Sequence, residues 1–212
     1  PLELRVVLVD RIRRVVQQQQ TAILAVFDQS DRLAGHKPAE AGFMIVQSTG
    51  ALAGPFASTN LPALPVGRQW QTPITYNANS VVLNVIAVAG TITFTNGGGD
   101  NLWTNPLNWD LGRIPIAGDT VVIPGAFNVT LNGGGVHTIL VLNSTTTGTL
   151  TINGGATLTT TGASNATTVA INGVGGAGRM TANGTLAVAT LSVFNGGVLD
   201  GTGNVTISTQ LS

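Results

Sequence analysis

The stretches LTINGGATLTTTG, residues 150–162, and LSVFNGGVLDGTG, residues 191–203, are close relatives within one chain. Each begins with an alternating aliphatic segment, passes through an Asn-Gly turn, and returns to a second aliphatic position at the same spacing. Their first residues, Leu150 and Leu191, lie 41 positions apart (191 minus 150). We interpret this distance as two coils of about twenty residues, each with three short faces.

Similar short aliphatic segments recur throughout residues 120–212, where Asn-Gly turns separate many of them. We predict strands at Val121–Ile123, Val129–Leu131, Ile139–Leu142, Leu150–Ile152, Val169–Ile171, Leu186–Val188, Leu191–Val193 and Val205–Ile207.

A right-handed parallel β-solenoid accounts for this pattern physically. Each coil hydrogen-bonds to the next, and inward Leu, Ile and Val side chains stack into one continuous core. Each buried aliphatic side chain contributes about 1.5 to 3 kcal/mol. Outward positions are stacked about 4.8 Å apart, where like charges repel, and Thr or Asn avoids that cost. Eleven of the thirty residues in 141–170 are Thr.

A β-sandwich is the alternative, because sandwiches also alternate and turn every 8 to 12 residues. Sandwiches usually carry charged outer faces and aromatic anchors. Residues 128–212 contain one aromatic ring of Phe, Trp or Tyr, at Phe194, and two charged side chains, Arg179 and Asp200. The composition therefore favours the solenoid.

The charge distribution limits the function. Nine basic and nine acidic residues leave the net charge at zero, so no electrostatic footprint for nucleic acid is present. Cysteine is absent, which excludes disulfides and thiolate metal sites. The most apolar window, Val81–Phe94, is too short for the roughly twenty residues that a membrane-spanning helix needs, so we predict no membrane insertion.

Eleven of the eighteen charges lie in residues 1–40. Residues 2–33 lack Gly and Pro and have apolar residues at near-helical spacing, but Arg5–Val9 is rich in β-branched residues, so helix and strand both remain open. From Gly42 onward the pattern changes to short strands. We predict an antiparallel group at Phe43–Val46, Trp70–Tyr76, Val81–Val88 and Thr91–Thr95, with Pro73 placing the second strand at a sheet edge.

Two segments carry a family resemblance. Residues 43–85, with a Gly-x-Phe step, the sequence LPALPVG and the strand VVLNV, resemble the segment that closes repeat arrays in autotransporter-like passenger proteins. Residues 100–131, with Trp103, the pair Asn108-Trp109 and the pair Gly118-Asp119, are similar to the opening segment of large bacterial surface repeats. The resemblance implies an extracellular location at the bacterial cell surface and adhesive or scaffolding roles.

The aromatic-rich junction is the first candidate site. Trp103 and Trp109, together with Asn105, Asn108 and Asp110, could form a platform on which a sugar ring stacks and amides bind its hydroxyls. The alternative is that both indoles cap the open end of the solenoid core, which would otherwise expose apolar side chains and strand edges. The cap is the favoured interpretation.

A calcium site is the second candidate, since Asp100, Asp110 and Asp119 offer oxygen ligands. Their spacing matches no compact calcium loop, and Asp119 is expected instead to be a turn residue before a strand. We therefore predict no obligatory cofactor. The histidines, His36 and His137, have no evident carboxylate partner and are expected to be solvated or structural.

An enzyme is the rival class, because pectin-lyase-like proteins use the same solenoid. Glycoside hydrolysis needs paired carboxylates, and elimination needs a base with supporting acids. The predicted solenoid contains one Arg and one Asp, which are insufficient. We predict a non-enzymatic structural or adhesive module.

The expected organisation has four parts. Residues 1–40 form a charged assembly contact, 41–96 a small antiparallel β domain, 97–119 a Trp/Asn-rich junction and cap, and 120–212 a solenoid of four to five coils. The last predicted strand, Val205–Ile207, leaves the final coil of the solenoid with unpaired backbone groups and an uncovered apolar surface. We therefore expect head-to-tail contact with other copies or with adjacent repeats of a longer chain, and surface glycans are a further candidate partner.

Overall fold

In the computed structural model, the described residues are 61, 63–145 and 147–209, together with the backbone of the strands at Ala22–Ile23 and Ala41–Ser48. The chain divides into two compact units, Pro1–Val88 and Ala89–Ser212. The strands of the first unit are β1 (Ala22–Ile23), β2 (Ala41–Ser48), β3 (Arg68–Trp70), β4 (Thr75–Tyr76) and β5 (Ser80–Ala87).

The first unit is an antiparallel sheet built around β5. This strand pairs with β2 on one side and with β3 and β4 on the other. Its side chains alternate, with Val81, Leu83 and Val85 buried. The single strand predicted over residues 70–76 is two strands, because Pro73, which has no N–H to donate, lies in the gap between them.

Most of residues 1–40 lie outside the described residues. The two alternatives for residues 2–33, helix and strand, therefore concern a segment that lies mostly outside them. The exception is β1, which pairs with Ser48 and Gln47 of β2.

The second unit is a parallel β-solenoid of four coils with a strand beyond them. Its elements are β6 (Thr91–Thr93), a 3₁₀ turn (Pro106–Asn108), β7 (Thr120–Ile123), β8 (Val129–Leu131), β9 (Gly135–Ile139), β10 (Val141–Ser144), β11 (Leu150–Ile152), β12 (Ala156–Thr160), β13 (Ser164–Asn172), β14 (Arg179–Ala182), β15 (Leu186–Phe194), β16 (Val198–Asp200) and β17 (Val205–Thr209).

Three faces repeat around the axis. Face 1 stacks β6, β7, β10, the first halves of β13 and β15, and β17. Face 2 stacks β8, β11 and the second halves of β13 and β15. Face 3 stacks β9, β12, β14 and β16. On face 2, Val129, Leu150, Val169 and Leu191 are in register, at steps of 21, 19 and 22 residues.

These registers confirm the coil of about twenty residues and the two-coil distance between the related stretches. Leu150 and Leu191 lie in one column, with Val169 between them. The second aliphatic positions, Leu158 and Leu199, lie in another column, with Met180 between them. The β-sandwich alternative is wrong, because the strands of the repeat pair in parallel.

The core is one apolar column along the axis. On the strands of the inner coils the inward residues are buried and the residues between them are less so, as in Leu150–Ile152, where Leu150 and Ile152 are buried and Thr151 is not. Ile92, Val121 and Leu142 stack on face 1, and all three are fully buried. Continuous stacking of this kind makes each coil part of the core of its neighbours.

Two expectations are corrected, and one set of strands was missed. Thr91–Thr93 is parallel to β7, so it belongs to the solenoid and not to the antiparallel sheet. The strand expected at Ile139–Leu142 is a corner, at which face 3 ends with β9 and face 1 begins with β10. The remaining strands of face 3, β12, β14 and β16, were not predicted.

Face 3 escapes prediction because its strands carry few aliphatic residues. The strand at Ala156–Thr160 reads ATLTT, and the strand at Arg179–Ala182 reads RMTA. Their inward positions include Ala156, Thr160 and Ala182, which give a weak hydrophobic pattern.

Across the residues that the structure describes, no helix has the length and apolar character to span a membrane.

Candidate functional site

The aromatic-rich junction, residues 94–119, forms an irregular turn that joins β6 to β7 within the solenoid unit. It adds to face 2 through a parallel bridge between Leu102 and Thr130. It also adds an antiparallel bridge between Phe94 and Trp109. The junction therefore continues the coil stack beyond β7 and β8.

Both indoles of the junction are buried in the core. Trp103 is 0% exposed and Trp109 is 2% exposed, and both belong to the same apolar cluster as Val129 and Leu131. Trp109 packs edge-to-face against Trp103 at 5.0 Å and against Phe94 at 5.1 Å between ring centroids. Edge-to-face pairs add about 0.5 to 1.5 kcal/mol beyond their buried area.

The Trp109 indole is also held by its polar atom. Its Nε1 donates to the backbone oxygen of Trp103 at 2.8 Å. A sugar-stacking platform needs an indole face open to solvent, and neither indole offers one in this arrangement. Both rings lie instead within the apolar core cluster.

The polar residues of the junction form a connected cluster around Asp100. Asn108 is fully buried, and its amide nitrogen donates to Asp100 Oδ1 at 2.6 Å and to the Leu102 oxygen at 2.8 Å. The Asn105 amide donates to Asp100 Oδ2 at 2.7 Å, while its oxygen accepts from the N–H of Leu107 and so begins the 3₁₀ turn. These amides are therefore engaged in holding the turn.

Hydrogen bonds lower the pKa of Asp100 below its ordinary value. The backbone N–H of Leu102 has the largest effect, followed by the Asn108 and Asn105 amides. Each bond favours the carboxylate over the protonated acid. Gly98 is required beside this cluster, because a side chain there would collide with the Asn105 amide and approach Asn108 Oδ1 to 2.8 Å.

A buried ion pair lies at the C-terminal end of the junction. Arg113 and Asp119 are 1% and 0% exposed, and the guanidinium donates twice to the carboxylate, at 2.6 and 2.9 Å. The backbone N–H groups of Gly90 and Ile116 donate to the same carboxylate at 2.9 and 2.8 Å. Four donors therefore compensate the burial of the Asp119 charge, as a stable buried pair requires.

The three aspartates of the candidate calcium site have separate partners. Asp119 is paired with Arg113, and Asp110 accepts from the N–H of Thr93 at 2.9 Å. Asp100 holds Asn105 and Asn108. Within residues 61, 63–145 and 147–209, no three His, Asp or Glu side chains are grouped so that they could hold a metal ion. The structure thus does not bring the proposed ligands together.

The two charged residues of the repeat lie on the outer surface of face 3. Arg179 and Asp200 form an ion pair between neighbouring coils, and Thr181 Oγ1 donates to Asp200 Oδ1 at 2.7 Å. Thr138, Thr159 and Thr181 precede Asp200 in one outward column. A half-exposed pair with a hydroxyl ladder offers neither paired carboxylates nor a free base.

His137 occupies an inward position on the first strand of face 3, in register with Leu158. It is half-buried, and this burial lowers its pKa below the ordinary value. His36 lies outside the described residues.

Sequence reasoning missed the Arg113–Asp119 pair. The signal was available, because two opposite charges six residues apart stand in a region with few charges. It also missed the Asn ladder at the corner between faces 2 and 3. There, Asn172 donates to Asn153 at 3.2 Å and Asn195 donates to Asn172 at 3.0 Å.

Comparison of the chain with protein-family models, with curated proteins and with solved structures gave no match.

Proposed function

We propose that this chain is a non-enzymatic structural or adhesive module of an extracellular rod or filament at the bacterial cell surface. In this proposal the solenoid supplies length and rigidity, and further parallel coils extend it head to tail. The added coils come from other copies or from adjacent repeats of a longer chain. The resemblance of residues 43–85 and 100–131 to bacterial surface repeat proteins supports the location.

The observation that carries the proposal is the apolar surface at the β17 end. Val193, Leu199, Val205 and Ile207 occupy inward positions of the last coil, yet they are only partly buried against the core. β17 pairs with β15 and with no other described strand. A coil stacked on this surface would bury these side chains and pair the free edge of the strand.

The outer surface supports a non-catalytic role. The charged side chains on the outer surface of the repeat are Arg179 and Asp200, which pair with each other. Carbohydrate chemistry by a solenoid needs two carboxylates at about 5 to 9.5 Å, or a free base beside supporting acids. No such arrangement occurs among the described residues of the repeat.

Glycan binding through the junction is the weaker candidate. The indole faces of Trp103 and Trp109 are covered, and the amides of Asn105 and Asn108 are engaged by Asp100. A sugar would have to displace the core packing to reach these groups.

Incubation with polysaccharides tests the non-enzymatic part of the proposal. We expect no release of reducing ends or unsaturated products from pectate, alginate, xylan or chitin, because the outer charges are paired. Turnover that is abolished by Asp200→Ala or by Asp110→Ala, and retained in Thr206→Ala, would contradict it.

A further inference from the structure

Six Asn-Gly pairs occur in the described part of the chain. Their asparagines are Asn96, Asn132, Asn153, Asn172, Asn183 and Asn195. Asparagine followed by glycine is the sequence most prone to spontaneous deamidation, because glycine leaves the attacking backbone nitrogen unhindered and the chain free to rotate. The six pairs share the Asn-Gly sequence but have different surroundings in the fold.

The reaction needs only water. The backbone nitrogen of the glycine attacks Cγ of the asparagine, the new N–Cγ bond forms, the Cγ–Nδ2 bond breaks, and ammonia leaves. Water then opens the resulting succinimide at either carbonyl, which gives isoaspartate or aspartate. The peptide must rotate to bring the nitrogen to Cγ, so packing and hydrogen bonds at the turn slow the reaction.

Neighbouring backbone atoms crowd four of the six glycines; three are crowded by stacked coils, and the exposed Gly97 is crowded by Leu107 of its own turn. A side-chain carbon at the crowded positions would collide with backbone oxygen atoms of neighbouring residues, which shows how closely the chain is covered there. These four are Gly97, Gly154, Gly173 and Gly184. The nitrogen of Gly173 also donates to the oxygen of Phe194 at 3.2 Å. Rotation at the turns of Gly154, Gly173 and Gly184 would break the contact between coils.

Gly133 and Gly196 are exposed and have no heavy atom within 4 Å of a side-chain position. They differ in the preceding asparagine. The Asn195 amide donates to Asn172 Oδ1 at 3.0 Å, so the ladder holds it. Among the described residues, no hydrogen bond engages the Asn132 side chain, and the exposed Gly134 and Gly135 follow, Gly135 being the first residue of β9.

We propose that Asn132–Gly133, at the open corner between faces 2 and 3 of the first complete coil, is a site of spontaneous deamidation and isomerisation. The equivalent pairs of the inner coils are protected by the coils stacked on them. Asn195 is the second site to react, since its glycine is open but its amide is held. Conversion at Asn132 adds a negative charge beside the edge strand β9.

Peptide mapping by mass spectrometry tests the proposal. The folded full chain is incubated in mildly alkaline buffer, and isoaspartate is identified by its susceptibility to an isoaspartate-specific methyltransferase. We expect Asn132 to convert first, Asn195 second, and Asn153 and Asn172 several-fold more slowly. In the chain unfolded by urea, we expect the six rates to converge, because glycine follows each asparagine.

Asn132→Gln is the matched control, since the longer side chain retains the amide but closes a ring far more slowly. The variant should release less ammonia than the unaltered chain, by the amount that Asn132 contributes there, and its circular dichroism should be unchanged. Any other asparagine converting first in the folded chain would overturn the proposal. The folded order of rates persisting in urea would also overturn it, because local sequence and not the coils would then set the rates.

Discussion

At the scale of single residues, the junction contains buried aromatic rings and a buried ion pair, whereas the core of the repeat relies on aliphatic side chains. Trp103, Trp109 and Phe94 supply large apolar surfaces at one place in the core. Arg113 and Asp119 supply a fully buried ion pair in the same turn. The irregular backbone there pairs through the isolated bridges Leu102–Thr130 and Phe94–Trp109, and side-chain contacts supplement them.

The Trp103 side chain gives the first residue-scale prediction. Trp103→Ala should lower the free energy of unfolding by about 3 to 5 kcal/mol, because it empties a fully buried site. Leu107→Ala is the control, since Leu107 is 53% exposed in the same segment, and we expect a change within about 0.5 kcal/mol. Urea titration measures both. Unchanged stability together with a lost glycan-array signal would instead identify Trp103 as a binding residue.

The pKa of His137 gives a pH prediction. Burial lowers this pKa in the folded chain, so the unfolded chain binds more protons as the pH falls below about 6.5. The stability associated with the neutral imidazole is complete above about pH 6.5 and is lost as the pH falls through the folded pKa. We expect the urea midpoint to fall between about pH 8 and 5.5, and His137→Leu to reduce this fall. An equal fall in the variant would refute the assignment.

Residue roles were only partly predictable from the sequence. The need to cover an apolar end predicted a cap role for the indoles; both rings are buried, and the cap role itself stays a prediction. Asn105 and Asn108 were grouped with Asp110 in the candidate platform, and their hydrogen bonds to Asp100, which hold a turn, were not predicted. The pairing of Asp119 with Arg113 depends on the path of residues 113–119, which no periodic pattern encodes.

At the scale of strands, the alternation of inward and outward residues sets the fold. Face 2 was predicted well because its inward positions are Val, Leu and Ile on every coil. Face 3 was predicted poorly because Ala, Thr and His occupy several of its inward positions. Face 3 is determined instead by pairing with neighbouring strands, which places these weakly hydrophobic residues in register with more hydrophobic ones, as His137 is with Leu158.

A matched pair on β12 tests the assigned register. Leu158 is fully buried between His137 and Met180, whereas its neighbour Thr157 points outward. Leu158→Ala should lower the free energy of unfolding by about 2 to 5 kcal/mol. Thr157→Ala should change it by less than about 1 kcal/mol. Chemical denaturation measures the free energy of unfolding of both variants. Similar losses of stability in both would mean that the register is wrong.

At the scale of the molecule, a solenoid differs from a globular domain because its core has two ends. Residues 94–119 continue the stack beyond β7, with large aromatic rings in the core. The other end presents partly buried aliphatic side chains beside the edge strand β17. The proposed head-to-tail assembly rests on this uncovered apolar surface. Contacts of this kind form filaments when they do not close into rings.

Sedimentation velocity over a range of concentrations, combined with electron microscopy, tests this central claim most directly. Three chains are compared: the unaltered chain, Ile207→Arg at an inward position of β17, and Thr206→Arg at the adjacent outward position. We predict elongated, concentration-dependent assemblies for the unaltered chain and for Thr206→Arg, and monomers for a folded Ile207→Arg. A monodisperse monomer at high concentration, or equal assembly by all three chains, would contradict coil stacking at the β17 end.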